Sequence, residues 1–415
     1  MIPNQEMTRF PDSLSDEILS PLKTYKYSSI DKSFISRYIL KHYWNAFVEL
    51  LPLWLAPNMV TLIGFMFIIG NLLVLEVFVP DLVGPAPPWV YYSFALGLWM
   101  YSTMDNVDGK QARRTGTSSG LGELFENETL IHKCPSHGID SLNCTLASLL
   151  EAAAMGQGSS KIGAFTTLIP CLPMFFSTWE TFPSHYIIFG FISIVQPTGF
   201  DYCHPVLADY SFLDLWVVVL LGSFLIAHLP ACILNVIRSR KRRNLPILPV
   251  FLEWTPIVVS SISTIAWLYS PHSTLLRENH LVLFAVTISF VFGRMTTKII
   301  LAHLTRQSFP FWTMLMAPLL GGAFLGNLPR FGLPMVNKDF EAWYLRAYLV
   351  IAFVTYMHWA FFVIHRITTF LDINCLTIRK DSLAASKGLY QQISEGTRDI
   401  LDSQFDLESG RLKNH

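Results

Sequence analysis

Long apolar runs separated by short polar stretches dominate the chain between residues 59 and 370. A helix that crosses a bilayer needs about 20 mostly apolar residues, and most of these runs are close to that length. The pattern predicts ten transmembrane helices, with the fifth the weakest because it is the shortest. They lie at 59–78, 88–107, 137–155, 161–178, 186–197, 213–236, 247–269, 280–304, 309–326 and 343–370. We therefore predict an all-α, polytopic membrane protein.

The stretch SSIDKSFISRYILKHYWNAF, which precedes the first predicted span, has the period of an amphipathic helix. One helical face carries Ile30, Phe34, Ile35, Tyr38 and Ile39, and the other face carries Lys32, Ser33, Ser36, Arg37 and Lys41. Two interpretations fit this pattern: an interfacial helix on the cytoplasmic leaflet, or a helix packed on the protein's own spans.

The two ends of the chain are polar and lack such a period. Residues 1–28 are expected to be loosely ordered, and the stretch from residue 381 to the end is expected to be solvated. The chain is thus divided into a cytoplasmic tail with the interfacial helix at 1–45, a membrane domain at 46–372 and a cytoplasmic C-terminal tail at 373–415.

Composition supports membrane insertion and excludes one class of partner. Of 415 residues, 52% are hydrophobic and only 14% are charged, which is too apolar for an ordinary soluble protein. The formal net charge is zero, so the chain lacks the basic field that nucleic acid would require. Lys and Arg gather before the first span, after the second, after the sixth and beyond the tenth, all on one side. The positive-inside rule makes that side cytoplasmic.

The polar cluster at the end of the second predicted span is the main candidate for chemistry. In WMYSTMDNVDGKQARR, Asp105 and Asp108 are three residues apart and share one helix face. Two such carboxylates repel each other unless a cation binds them, and Mg²⁺ or Mn²⁺ is the natural choice for oxygen ligands. Gly109 leaves room for a phosphate near the backbone, and Ala112 adds only a small side chain to the same face. Arg113 supplies a planar guanidinium group that can donate to phosphate oxygens. Together they predict a metal–pyrophosphate site.

The stretch DNVDGKQARRTGTSSGLG resembles the signature of the CDP-alcohol phosphotransferase family, D-x-x-D-G-x-x-A-R-x8-G followed by x3-D-x3-D. Asp105, Asp108, Gly109, Ala112, Arg113 and Gly122 fall on that pattern. The segments KYSSIDKSFISRYIL, LWLAPNMVTLIG, HGIDSLNC, TWE and FLDINCLTI are similar to the choline/ethanolamine phosphotransferase branch. The resemblance therefore covers most of the chain.

The resemblance implies a ten-span fold with a catalytic chamber that faces the cytoplasm, in the endoplasmic reticulum or Golgi membrane. The implied reaction transfers phosphocholine or phosphoethanolamine from CDP-choline or CDP-ethanolamine to diacylglycerol and releases CMP. Membrane lipid is the other partner, Mg²⁺ or Mn²⁺ the cofactor, and a homodimer is left open. Asn58 and Thr61 would lie near the nucleotide and Arg113 on phosphate, while Asp140 would complete the metal site. Asp140 or His137 would act as the base.

The second half of the signature is interrupted. Where the family has its third Asp, this chain has Glu126, and HGID begins only at His137. Ten extra helical residues would move Asp140 by about 15 Å and rotate it by roughly 80°. Because Pro135 lacks an N–H, we expect the helix to break there and restart near Ser136. Residues 126–135 would then bulge out as a loop, and only the third carboxylate would be lost unless Glu126 folds back.

Other functions remain open from the sequence. The interruption could impair the activity, so the chain could be an inactive paralogue or the product of a gene-model error. An intramembrane prenyltransferase also uses DxxD clusters, although it tends to have two of them. An ion-coupled transporter would need paired broken helices in two related halves.

Overall fold

The computed structural model describes residues 14–24, 36–115, 128–180, 212–242, 244, 246–371 and 374–378. Every regular element within these ranges is helical, as the apolar pattern predicted. The α-helices are α1 (Asp16–Leu19), α2 (Lys41–Leu50), α3 (Pro57–Phe78), α4 (Pro88–Arg114), α5 (Glu128–Ala154), α6 (Lys161–Leu168), α7 (Cys171–Glu180), α8 (Phe212–Gly222), α9 (Leu229–Arg242), α10 (Thr255–Leu268), α11 (Leu281–Leu304), α12 (Met316–Leu325) and α13 (Lys338–Leu371). Short 3-10 or π turns adjoin them at Ser20–Thr24, Ser36–Leu40, Ser223–His228, Leu248–Trp254 and Leu328–Phe331.

Within the described ranges, six helical segments are long and apolar enough to cross a membrane, so the chain is an integral membrane protein. They are Pro57–Phe78, Lys161–Glu180, Leu215–Arg242, Leu248–Leu268, Leu281–Leu304 and Lys338–Leu371. The count of ten spans stays a prediction, since the stretch 186–197 lies outside the described residues. The predicted span 309–326 contains only the short helix α12. Pro310 precedes that helix, and a proline disfavours helical backbone at the residue before it.

Contacts between loops define the two ends of the helical bundle. At one end, the turn after α3 meets the turn after α5, where Gly158 N donates to Leu82 O at 3.0 Å. At the other end, the start of α3 meets the segment after α13, where Asn58 Nδ2 donates to Cys375 O at 2.9 Å. Because α3 starts at this second end, α4 finishes there. We call it the site end.

Helices α3 and α4 approach each other closely through two glycines. A Cβ at Gly64 of α3 would lie only 2.8 Å from the Cβ of Met104 in α4. A Cβ at Gly97 would collide with Nδ2 of Asn71, whose side chain donates to Ser93 O at 2.8 Å. Small residues at a helix contact let two backbones approach, which is how helices associate inside a membrane. The glycines therefore set the spacing of the two helices.

Helix α5 packs against α11. A Cβ at Gly293 of α11 would lie 3.0 Å from Cδ2 of Leu142. One turn further along α11, Thr296 Oγ1 donates to Ser141 Oγ at 2.8 Å between two buried side chains. These contacts fix the register of α5 from residue 141 onward.

The expected helix break at Pro135 is wrong. Helix α5 is continuous from Glu128 through Pro135 and Asp140 to Ala154. A proline inside a helix removes one N–H and crowds the preceding turn, at a cost of about 3 kcal/mol. That cost falls near the start of a long helix, where few intrahelical bonds precede the proline, and packing against α11 stabilises the rest. Residues 128–135 therefore form helical turns and do not bulge out as a loop.

The expectation of loose order for residues 1–28 is also wrong for part of that stretch. Leu14, Leu19 and Leu22 are almost fully buried against the ends of α11 and α13. Arg366 of α13 donates through Nε to Leu14 O at 3.0 Å and pairs with Asp16 Oδ1 at 3.1 Å. Apolar burial and one arginine clamp thus hold the N-terminal segment at the site end.

Helix α2 favours the second interpretation of the amphipathic stretch. Trp44 and Val48 are buried in a cluster with residues of α3 and α4, so this helix packs on the protein's own spans. Tyr38 and Ile39, just before α2, remain exposed on the surface. Positions 30–35 lie outside the described residues, so an interfacial helix there stays a prediction.

Prediction for the fold: Gly64→Ala should lower the thermal unfolding midpoint of the protein in detergent. The added Cβ meets Met104 at the α3–α4 contact, and overpacking of this kind costs about 1–3 kcal/mol. Gly70→Ala in the same helix is the matched control, because a Cβ there meets no described atom within 4 Å. Equal midpoints for the two variants would contradict the glycine-mediated contact.

Candidate active site

Asp108 is held between two helices at the site end. Thr61 of α3 is buried and donates through Oγ1 to Asp108 Oδ2 at 2.6 Å, while the backbone N–H of Gly109 donates to Oδ1. Thr61, expected near the nucleotide, is thus also the residue that orients Asp108. Each carboxylate oxygen can accept more than one bond, so these contacts are compatible with metal coordination.

Asp140 is held by a tyrosine that the sequence analysis did not single out. Tyr101 of α4 donates through its hydroxyl to Asp140 Oδ1 of α5 at 2.5 Å, and both residues are buried. Asp105, half-buried, stands four residues after Tyr101 on the same helix. Since positions four apart share a helix face, Asp105 lies on the face of α4 that carries Tyr101, the partner of Asp140. The sequence shows a tyrosine one turn before the first Asp, but it does not show which residue of another helix that tyrosine contacts.

The donor set fits a hard divalent cation in its chemistry. Asp105, Asp108 and Asp140 supply oxygen ligands, which are those that Mg²⁺ and Mn²⁺ prefer. Within the described ranges, however, no three His, Cys, Asp or Glu side chains are grouped closely enough to hold an ion. Glu126, the fourth expected ligand, lies outside the described residues, as does Gly122. A complete coordination shell therefore remains a prediction.

Gly109 leaves an open face on α4. Among the described residues, the atom nearest to a Cβ built at Gly109 is Arg113 Nη1, at 4.0 Å. The protein's own packing therefore does not require glycine here, whereas a ligand that approached the backbone would. Ala112 is buried at 1% exposure, so it contacts protein more than solvent.

The two adjacent arginines have different surroundings. Arg114 contacts the end of α2. It donates to Val48 O and Leu51 O at 2.6 and 2.5 Å and forms an ion pair with Glu49 at 3.2 Å. It satisfies carbonyls at the end of α2, which a helix terminus leaves without intrahelical partners. Arg113 is exposed at the site end, one turn beyond Gly109. Arg113 is thus the more accessible of the two arginines, and its expected contact with a phosphate stays a prediction.

Asn58 has a structural contact that the sequence did not predict. Its buried amide donates to the carbonyl oxygen of Cys375 and joins the segment 374–378 to the start of α3. Burial raises the pKa of the Cys375 thiol above its usual range, and the contact with Asn58 opposes this in part. Asn58 therefore anchors the segment after α13, and its expected place near the nucleotide is untested.

His137 lies in the first half of α5, but only its helical backbone is described. It stands one turn before Ser141, whose side chain meets α11. Its expected part as a base is therefore a proposal from the sequence position.

The residues of the TWE segment are tied to neighbouring helices at the same end. Trp179 Nε1 donates to Glu253 Oε2 at 2.9 Å, and Arg240 pairs with the other oxygen of Glu253 at 3.7 Å. Glu180 accepts from Asn235 Nδ2 at 2.6 Å. These contacts brace the end of α7 against α9 and the turn Leu248–Trp254.

Comparison with known proteins identifies relatives along almost the whole chain. Choline/ethanolaminephosphotransferase 2 of Arabidopsis thaliana is 31% identical over 398 residues, which cover 87% of this chain and 97% of the relative. A CDP-alcohol phosphatidyltransferase class-I family protein of Schizosaccharomyces pombe is 32% identical over 402 residues, or 88% and 97% of the two chains. Cholinephosphotransferase 1 of Saccharomyces cerevisiae is 30% identical over 406 residues, or 87% and 96%. No protein-family model matches the chain.

Prediction for the two arginines: Arg114→Ala should destabilise the protein, whereas Arg113→Ala should not. Arg114 donates to two carbonyls and pairs with Glu49, and a hydrogen bond from a charged group contributes about 1.5–3 kcal/mol. Thermal unfolding in detergent would measure the difference. A larger loss of stability in Arg113→Ala would contradict the assignment.

Proposed function

The chain belongs to the CDP-alcohol phosphotransferase family, in its choline/ethanolaminephosphotransferase branch, and we propose that it transfers phosphocholine or phosphoethanolamine from the CDP ester to diacylglycerol. CMP is the second product. The chain is thus a transferase of phospholipid synthesis, and the relatives favour this activity over an inactive paralogue, a prenyltransferase or a transporter. The observation that carries the proposal is the DNVDGKQAR stretch, whose Asp108 is oriented by Thr61 at the site end.

The open face of α4 supports binding of a pyrophosphate. A phosphate can approach the backbone at Gly109 because no described atom occupies the space of a Cβ there. Arg113 is exposed one turn further along and can offer two parallel donors to phosphate oxygens. Asp105 and Asp108 precede these groups on the same helix, within about one turn of Gly109.

The chemistry is an in-line displacement at phosphorus, so catalysis depends on positioning and on stabilisation of charge. Asp105, Asp108 and Asp140 would hold the divalent cation, which supplies positive charge against the pyrophosphate. Thr61 keeps Asp108 in one orientation, so little reorganisation accompanies the reaction. The hydroxyl of diacylglycerol loses its proton to Asp140 or His137 as its oxygen bonds to phosphorus, and CMP leaves.

The acceptor lipid enters from the membrane in which the spans lie. The site end carries the Lys- and Arg-rich segments, which supports a site that faces the cytoplasm. We place the enzyme in the endoplasmic reticulum or Golgi membrane, as the sequence resemblance implied. The homodimer remains a prediction.

The interrupted signature removes one carboxylate from the proposed ligand set but does not prevent α5 from presenting Asp140 to α4. Asp140 meets Tyr101 of α4, so α5 presents it to the α4 face that also carries Asp105. The position one turn before Asp140, where the family has its third Asp, is Ser136. We infer that this chain binds its metal more weakly than a family member with all four aspartates.

Prediction for the activity: the purified protein with Mg²⁺ should incorporate labelled CDP-choline or CDP-ethanolamine into lipid. Gly109→Ala should weaken binding of the CDP ester by about tenfold or more, since the new methyl group lies where the phosphate approaches; that factor equals about 1.4 kcal/mol. Its stability should be unchanged or higher, because alanine favours a helix by about 0.5–1 kcal/mol over glycine. Gly70→Ala is the matched control for the helix effect. Absence of turnover with both CDP esters would refute the proposed function.

Prediction for the interruption: Ser136→Asp alone should strengthen Mg²⁺ dependence and raise turnover, with no deletion of residues 126–135. Helix α5 is already continuous from position 136 to Asp140, so the new carboxylate would stand one turn away on the same face. Ser136→Asn, which has a similar shape without charge, should have no such effect. A gain with Asn equal to that with Asp would show that charge at this position is irrelevant.

A further inference from the structure

We infer that Tyr101 is the positioning residue for Asp140 and sets its orientation toward the metal and the reacting lipid hydroxyl. The inference rests on the proposed function for its kinetic part. Its structural part stands on a contact between two packed helices, α4 and α5.

The contact between Tyr101 and Asp140 is short and shielded. The hydroxyl oxygen lies 2.5 Å from Asp140 Oδ1, within the range of a hydrogen bond to a charged carboxylate. Tyr101 is 6% and Asp140 9% exposed, so water competes little for either group. A buried hydrogen bond of this kind restricts the terminal rotation of an aspartate, which is otherwise broad.

The tyrosine is itself fixed by the α3–α4 contact. The Cα of Tyr101 lies 3.4 Å from where a Cβ on Gly64 would be, so α3 and α4 are in close contact at this level. Its ring belongs to the main apolar cluster together with Phe65 of α3 and Leu142 of α5. A hydroxyl carried by so constrained a ring can hold a carboxylate in one place.

Tyr101 also has a defined position along α4 relative to the acids of that helix. Asp105 follows it by one helical turn, a rise of about 6 Å, and Asp108 by about 10 Å. On α3, Gly64 stands one turn deeper than Thr61, the partner of Asp108. Tyr101 therefore lies one turn below the acids of α4 and ties α5 to them.

A purely structural tyrosine would also be buried and hydrogen-bonded. Tyr348 is such a case: it is 1% exposed, belongs to the same apolar cluster and donates to Leu315 O at 2.6 Å. Its acceptor is a backbone carbonyl, so loss of its hydroxyl changes no acid of the site. Tyr348→Phe is thus a matched control for Tyr101→Phe.

The test compares Tyr101→Phe with Tyr348→Phe in the full-length protein in detergent. Mn²⁺ binding is measured by electron paramagnetic resonance, kcat and KM by transfer from the CDP ester, and stability by thermal unfolding. Both variants lose one buried hydroxyl and should lose similar stability. Only Tyr101→Phe should weaken Mn²⁺ binding and lower kcat, each by about 10- to 100-fold, which is typical for groups that orient a metal ligand. KM for the CDP ester should change little.

The two parts of the inference fail separately. Mn²⁺ affinity of Tyr101→Phe within about twofold of the wild type, or an equal loss in Tyr348→Phe, would overturn it, as would a wild type that binds no Mn²⁺. If Mn²⁺ binding changes as expected but the wild type transfers nothing, the proposed function fails and the positioning role remains. In Asp140→Asn, the added change Tyr101→Phe should have no further effect on Mn²⁺ affinity, because the coupling acts through that carboxylate.

Discussion

A carboxylate inside an apolar helical bundle is stable only where hydroxyl, amide or cationic partners replace the water it has lost. Three of the described acids, Glu341, Asp108 and Asp140, follow this constraint in two ways. Glu341 accepts four hydrogen bonds, from Trp267, Ser273 and twice from Thr274, which match the four lone-pair sites of a carboxylate. It therefore acts as a structural anchor at the end of the bundle opposite the site. Asp108 accepts from Thr61 of α3 and Asp140 from Tyr101 of α4, so a hydroxyl of a neighbouring helix orients each of these carboxylates.

That orientation depends on how closely the helices approach. Thr61 can reach Asp108 because Gly64, one turn away on α3, lets α3 and α4 pack almost backbone to backbone. An alanine at Gly64 would push α3 and α4 apart and lengthen the contact between Thr61 and Asp108. The glycine of the fold and the acids of the site are thus parts of one arrangement, although they stand on different helices.

Local pattern was enough to predict the helices of the bundle and the acids at the end of α4. Spans with long apolar runs, such as α3 and α11, matched their predicted ranges within a few residues. Contacts between distant segments could not be predicted in this way. The burial of Leu19, the anchoring of Cys375 by Asn58 and the bond from Tyr101 to Asp140 all join residues far apart in sequence, and no periodicity encodes them. The prediction of a helix break at Pro135 was wrong for the same reason, since tertiary packing outweighed a local preference.

The interruption of the signature shows where a helix can accommodate extra residues. A displacement of Asp140 would follow if the register of α5 were set from its start. The register is set instead by contacts at and after Asp140, where Ser141 and Leu142 meet α11 and Asp140 meets Tyr101. The extra residues then lie upstream of these contacts, and the part of α5 from Asp140 onward is held by α4 and α11. In the proposed metal site one carboxylate is then missing, because Ser136 stands where the family pattern has an aspartate, whereas the helix that would present it is formed.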